Sequence, residues 1–243
     1  MVAGLREEDG RAVVDAARAD GTFTSVEALW RSSGCSLHAL RRLAAADAFA
    51  GMGVPRQQAL WQVRALRDGD APVLDEAAEQ GATLFDMSPQ PLPAVPPLQS
   101  VAADYAGAGL SLRDHPIRFL RESLARRGAV PCAALRTIGE GSAPRTSASV
   151  AGLVLCRQRP STASGIVFMT LEDESGIANL IIRPKAYERM RRIARGAMAV
   201  LVEGSVEHRS GVTHLLVRRM TDLGGELEAL AGGAIPQPSR DFR

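Results

Sequence analysis

Enzymes that transfer phosphoryl or nucleotidyl groups hold metal ions with clustered carboxylates, so the acidic runs are the first places to look for chemistry. The densest are Glu7-Glu8-Asp9 and Glu172-Asp173-Glu174. The first opens a helical pattern, where carboxylates complement the positive end of the helix dipole. The second stands in a turn between two apolar runs, where solvent is expected to hydrate it. Neither run requires a metal. The four histidines, His38, His115, His208 and His214, are scattered, and no Gly-rich phosphate loop, G-x-S-x-G elbow or H-E-x-x-H pair occurs. His115 precedes Pro116 and has no carboxylate or Cys at ligand spacing, so it reads as a turn or helix cap. Cys35, Cys132 and Cys156 are widely spaced without C-x-x-C and read as packing residues. No catalytic residue is assigned, and binding is the chemistry that remains.

The binding candidates lie in two apolar runs, 166–171 and 177–182. On the first, Ile166, Phe168 and Thr170 share one face and Val167, Met169 and Leu171 the other; on the second, Asn179 stands between Ile177 and Ile181. Phe168 and Asn179 can therefore share a face, where an aromatic stacks a base and an amide reads its edge. The alternative is that Phe168 belongs to the core and Asn179 is an edge polar residue. Arg157, Arg159, Arg183 and Lys185 fall at strand ends and in the loop after the first strand, and Arg209 in the last loop. Singly each is an ordinary surface charge; together they are the candidates for phosphate contact.

The elements that would position these residues form one unit, 147–223. Residues 149–156 are β-branched and apolar and give a first strand, with 157–165 as loop. Residues 166–171 and 177–182 pair as a hairpin through 172–176, where Gly176 can take positive φ. A helix is expected over 185–195, with Tyr187, Met190, Ile193 and Ala194 at helical spacing and Gly196 ending it. Residues 198–207 give a fourth strand with a bulge or corner at Gly204, and 212–220 a fifth. A helix between strands three and four of a five-stranded barrel is the OB-fold order, whose strand face and loops bind single-stranded nucleic acid.

The chain has 243 residues, is 46% hydrophobic and carries a net charge of +2. Its charge is uneven: residues 1–85 carry 9 basic and 12 acidic side chains, whereas 148–223 carry 11 and 7, net +4. The barrel is thus the basic part, where a footprint for phosphates is expected. No apolar run approaches the roughly 20 residues that span a bilayer, and the first residues do not resemble a signal peptide, so no membrane partner and a cytoplasmic location are expected.

Residues 1–85 read as short helices joined by Gly-containing turns: 5–19, ended by Gly21; 26–31, capped by Ser25; 37–45; and a helix from Pro55 through Leu66. That arrangement suits either a plain helical bundle or a helix-hairpin-helix module, whose hairpin amides can hold a phosphate. Residues 86–146 are a connector. It opens with five prolines between Met87 and Pro97, expected to be extended, and ends in an amphipathic helix over 117–127. Residues 224–233 give a short helix within the segment 224–243, and 235–243 a tail. The fold class is α+β, a small all-α helix-hairpin-helix-like domain followed by a five-stranded OB-fold β-barrel.

The run GIVFMTLEDESGIANLIIRPKAYERM, with AGLVLCRQRPSTASG before it and AVLVEGSVEHRSGVTHLLVRRMTDL after it, resembles the OB domain of error-prone C-family DNA polymerases, bacterial relatives of the polymerase III alpha subunit. GLREEDGRAVVDAARADGTFTSVEALWRSSG and LRRLAAADAFAGMGVPRQQALWQV resemble the helical DNA-binding segment that precedes it in that family, which favours the helix-hairpin-helix reading. Because that segment begins upstream of Gly4-Leu5 in the family, its leading hairpin is expected to be incomplete here. Gln80, Leu84 and Phe85 resemble a short peptide that binds the sliding clamp, inserting two apolar side chains into a pocket from a flexible segment. The resemblance implies a carboxy-terminal piece of a polymerase acting in translesion synthesis and DNA repair, with template DNA, sliding clamp and accessory mutagenesis proteins as partners. It also implies no cofactor in this chain, the polymerase's Mg2+ being held upstream. The rival is an OB barrel that docks a protein subunit, and a third reading is an RNA-binding module.

Overall fold

The computed structural model describes residues 2–66, 95–138, 146–209 and 211–233, and the backbone pairing of 240–242. The chain divides into two compact units, Met1–Val95 with Ala106–Ala108, and Pro96–Tyr105 with Gly109–Arg243. Gln80, Leu84, Phe85 and residues 87–94 of the proline-rich stretch lie outside the described residues.

In the first unit Gly21 and Ser25 take the capping roles read from the sequence, and Ser36 adds a further cap. Helix α1 (Glu7–Asp20) ends at Gly21, whose φ is 81°. Ser25 opens α2 (Val26–Ser33), its hydroxyl accepting from the Ala28 amide at 3.0 Å, and Ser36 opens α3 (Leu37–Ala45) through the Ala39 amide at 3.1 Å. A 3-10 turn, Ala50–Met52, and left-handed Gly53 then lead into α4 (Arg56–Ala65). Val26, Leu40, Phe49 and Val63, all at most 1% exposed, fill the space between these helices. Asp47 and Arg56, 3.9 Å apart and largely buried, join the two sides of the α3–α4 hairpin. Asp9 departs from the sequence reading: it is buried and accepts from the Ser36 amide at 3.0 Å, so it ties α1 to the start of α3.

The second unit begins with a correction. Proline content suggested an extended chain through Pro97, but α5 (Pro97–Ala108) starts there. Proline costs nothing in a first helical turn, and Leu98, Val101 and Tyr105 recur at helical spacing and are buried. The helix expected over 117–127 is instead a 3-10 segment, Pro116–Leu120, followed by α6 (Arg121–Arg126). His115 caps that segment, its Nδ1 accepting from the Ile117 amide at 3.2 Å. A further 3-10 turn, Cys132–Arg136, follows.

The barrel strands are β1 (Ser147–Gln158), β2 (Val167–Asp173), β3 (Gly176–Ile182), β4 (Ala199–Arg209) and β5 (Val212–Asp222), with α7 (Pro184–Gly196) between β3 and β4. β1 pairs antiparallel with β2 and β4, β2 with β3, and β4 with β5, while β3 and β5 run parallel and close the barrel. This is the OB order read from the sequence. Alternation sends Val150, Met169, Leu171, Leu180, Ile182 and Leu215 into the interior, each at most 2% exposed. Ala186, Tyr187 and Ala194 of α7 join the same core. Gly204 lies at the β4 bulge, where any Cβ would collide with the Leu216 carbonyl. After β5 come α8 (Gly224–Ala231) and β6 (Arg240–Phe242), which pairs parallel with Cys156–Gln158 where only a tail was expected. Among the described residues no helix is long and apolar enough to cross a membrane.

The acidic hairpin is the largest departure. Asp173 is 3% exposed rather than hydrated, and its carboxylate accepts five hydrogen bonds. Two come from Ser175, one from the Gly176 amide, one from the Cys132 amide at 2.8 Å and one from Arg121 at 2.7 Å. Arg121 also grips Glu174 with two bonds, at 2.6 and 2.9 Å. The run is a lock between α6, the 132–136 turn and the β2–β3 hairpin. Burial alone would raise the Asp173 carboxyl, but the Ser175 hydroxyl, the Cys132 and Ser175 amides and the Arg121 charge together hold it below the usual range.

A carboxyl held low in the folded state stabilises it fully above the unfolded pKa and loses that stabilisation as pH falls through the folded value. Asp173→Asn should therefore lower the melting temperature at neutral pH, at a cost on the order of 3 kcal/mol. The gap between variant and wild type should narrow as pH drops below about 3.9, a trend that melts across an acid series would read directly.

Candidate nucleic-acid interface

Pairing register decides which side chains look outward. Val167, Met169 and Leu171 face the core, so Phe168 and Thr170 face out; they oppose Ile181 and Asn179 of β3. Phe168 is half-buried and belongs to no buried core cluster, and it neighbours Asn179 diagonally, about 7 Å across the sheet. The shared face expected from the sequence is present, and the core placement of Phe168 is not.

Three residues on this face were not singled out from the sequence. Leu216 aligns with Ile181, His214 aligns with Asn179, and Gln158 of β1 opposes Phe168. The result is a half-exposed apolar row, Phe168, Ile181 and Leu216, beside a polar row, Thr170, Asn179 and His214. His214 Nδ1 is buried without a hydrogen-bond partner among the described residues. At the strand beginnings Ile177 and Val212 are 47% and 44% exposed. The signal for Leu216 and His214 lies in the parallel β3–β5 register, which joins segments about 35 residues apart and leaves no local trace.

The expected cations divide. Arg157 does not lie in the loop: it is in β1, which runs on to Gln158, and its guanidinium donates to the carbonyls of Ala194, at 2.8 Å, and Ala197. It satisfies carbonyls at the end of α7 that the helix itself leaves unpaired. Arg159 is exposed in the β1–β2 loop and lies 5.3 Å from the Tyr187 ring centroid, a cation–π contact. Gly165 brings Arg159 and Pro184 together: a Cβ there would lie 3.6 Å from the Arg159 guanidinium and 3.5 Å from the proline ring. Arg183 stands at the N-cap position of α7 and Lys185 in its first turn, both exposed, so Arg159, Arg183 and Lys185 gather at one edge. Arg209 is exposed at the end of β4, opposite Val212.

A separate open cleft of about 910 Å³ includes Leu112, His115, Arg121, Glu172 and Glu174 in its walls. Arg121, Asp173 and Glu174 of its walls form the Asp173 lock and Arg118 pairs with Asp114, while burial lowers the His115 imidazole below its ordinary value despite Glu174 and Asp173 nearby. Burial likewise pushes the Cys132 thiol up, in keeping with a packing role. Among the described residues no group of three or more His, Cys, Asp or Glu side chains could hold a metal ion.

Residues 148–223 match the family described as OB-fold nucleic acid binding domain, and residues 1–59 the helix-hairpin-helix motif. The second unit thus carries an OB-fold nucleic-acid-binding domain. Curated homologues that align over nearly the whole chain are error-prone DNA polymerases, and the chain spans about a fifth of the length of those relatives. Error-prone DNA polymerase 2 of Rhizobium meliloti is 41% identical over 98% of this chain and 22% of its own length. The Bradyrhizobium diazoefficiens error-prone DNA polymerase is 43% identical over 97% and 20%. Among solved structures, asparaginyl-tRNA synthetase from Pyrococcus horikoshii aligns with a TM-score of 0.32 at 18% identity, over 38% of this chain and 22% of that one, too distant to carry an argument.

An outward Phe168 should be cheap to truncate. Phe168→Ala is expected to cost roughly 1 kcal/mol of stability, against about 2 to 5 kcal/mol for Leu171→Ala one step along the same strand on the inner face. Thermal melts of the two variants side by side check the contrast.

Proposed function

We propose that this chain is the carboxy-terminal, template-binding part of an error-prone DNA polymerase that acts in translesion synthesis and repair. The polymerising chemistry then resides in the remainder of that enzyme. Magnesium would serve that remainder, and no residue here is assigned to hold it. The observation that carries the reading is the outward placement of Phe168 diagonally beside Asn179, between Arg159, Arg183 and Lys185 at one edge and Arg209 at the other. Phe168 offers a stacking platform, Asn179 a donor and acceptor for a base edge, and the cations a track for phosphates. An unpaired strand exposes base faces and edges to such a sheet, which favours single-stranded template. The helix-hairpin-helix match over residues 1–59 supports a second hold on DNA by the first unit.

The sliding clamp is proposed as a partner through Gln80, Leu84 and Phe85, with accessory mutagenesis proteins as further partners in the cytoplasm. A protein-docking role for the barrel is the second reading. The apolar row Phe168, Ile181 and Leu216, with exposed Ile177 and Val212, favours it.

Fluorescence anisotropy with single-stranded DNA tests the template reading. Phe168→Ala should weaken binding by about 1 to 3 kcal/mol at every salt concentration, the worth of one stacked base. Arg159→Gln should instead flatten the salt dependence by about 0.7 in log affinity against log salt. Arg157→Gln should act mainly on the melting temperature, because its donors serve α7. Wild-type protein that shows no salt-dependent binding would remove the template reading in favour of protein docking. For the clamp, Leu84→Ala with Phe85→Ala should abolish pull-down by the clamp; undiminished capture would dismiss that motif.

A further inference from the structure

The basic excess of the barrel is not on its sheet. Residues 183–195 carry six of the eleven cations of the 148–223 segment, Arg183, Lys185, Arg189, Arg191, Arg192 and Arg195, and only one of its seven acids, Glu188. The rest of the segment carries five cations and six acids, so its net charge is −1. All six cations of this stretch are exposed, and among the described residues none is in an ion pair, although Glu188 and Arg192 are at i, i+4 spacing. Lys185–Arg189 and Arg191–Arg195 are like-charge pairs at that same spacing, which disfavour a helix. The opposite face supplies the compensation, since Ala186, Tyr187 and Ala194 are buried in the barrel core and Arg157 secures the last carbonyls. Folding thus holds a row of unneutralised cations in place.

We propose that α7 is a second phosphate-binding surface, which carries a nucleic-acid strand onward from the sheet face. The inference rests on the template reading above. Continuity supports it: Arg183 and Lys185, at the start of α7, belong to the cationic edge beside Phe168's strand, and Arg189, before the kink at Met190, with Arg192 and Arg195, after it, are exposed further along α7. Arginine guanidiniums suit phosphate oxygens geometrically, and such phosphate contacts read no sequence, so the ligand is the phosphodiester backbone itself. An acidic protein surface is the other polyanion that could meet such a row. The aromatic and amide on the adjoining sheet favour nucleic acid.

The test is a length series. The full chain and its Arg189→Gln/Arg192→Gln/Arg195→Gln variant are titrated with oligothymidine of about 8 nucleotides, within the reach of one OB sheet, and of about 24. The variant should bind the short strand like wild type and the long strand roughly tenfold more weakly, with a salt slope shallower by about 2. Its melting temperature should not fall, because like charges have been removed. Equal affinity and slope for the two proteins on the long strand would overturn the proposal. So would displacement of the long strand by polyglutamate at matched charge concentration. Failure of the template reading looks different: Phe168→Ala would leave short-strand binding unchanged, whatever α7 does.

Discussion

The parallel pairing of β3 with β5 is the constraint on which the rest of the second unit depends. Without it the five strands would be an open sheet with two bare edges; with it, every strand has two neighbours and the interior is sealed. Closure also fixes sidedness. Because side chains alternate, the pairing that buries Leu180 and Leu215 must turn Asn179, Ile181, His214 and Leu216 outward in register. The candidate interface is thus the reverse side of the core, and the two cannot be altered independently.

A second constraint joins the barrel to the chain that precedes it. The Asp173 carboxylate reaches the β2–β3 turn, the Cys132 amide and Arg121 at once, so one buried charge sets the hairpin against α6 and the 132–136 turn. A buried carboxylate is tolerable when its acceptor capacity is filled, and five donors meet that condition. The same lock stiffens the end of the hairpin that carries Asn179.

Much of this was legible in the sequence where the controlling physics is local. Ser25 and Gly21 mark helix ends by capping chemistry, and alternation on 166–171 separates Phe168 from Met169 before any fold is known. What was not legible depends on distant partners. Glu172-Asp173-Glu174 has the composition of a hydrated turn, and only the folded position of Arg121, some 50 residues away, makes Asp173 a buried acceptor. Arg157 has the look of a loop cation until α7 ends beside it. Pro97 seemed to continue an extended connector, yet proline opens a helix as readily as it ends one. The concentration of charge on α7 was visible in the sequence, but its significance depends on which of those cations find acids.

In the proposed interface the outward face of β2, β3 and β5 receives nucleic-acid bases. Backbone amide chemical shifts, followed by NMR while an oligothymidine is added to the full chain, test it most directly. Base binding there should give saturable shifts at Phe168, Asn179, Ile181, His214 and Leu216 together with Arg159 and Lys185, while Asp173 and the inward residues Met169 and Leu180 stay fixed. Saturable shifts confined to the first unit, with the β2–β3–β5 face silent, would contradict it.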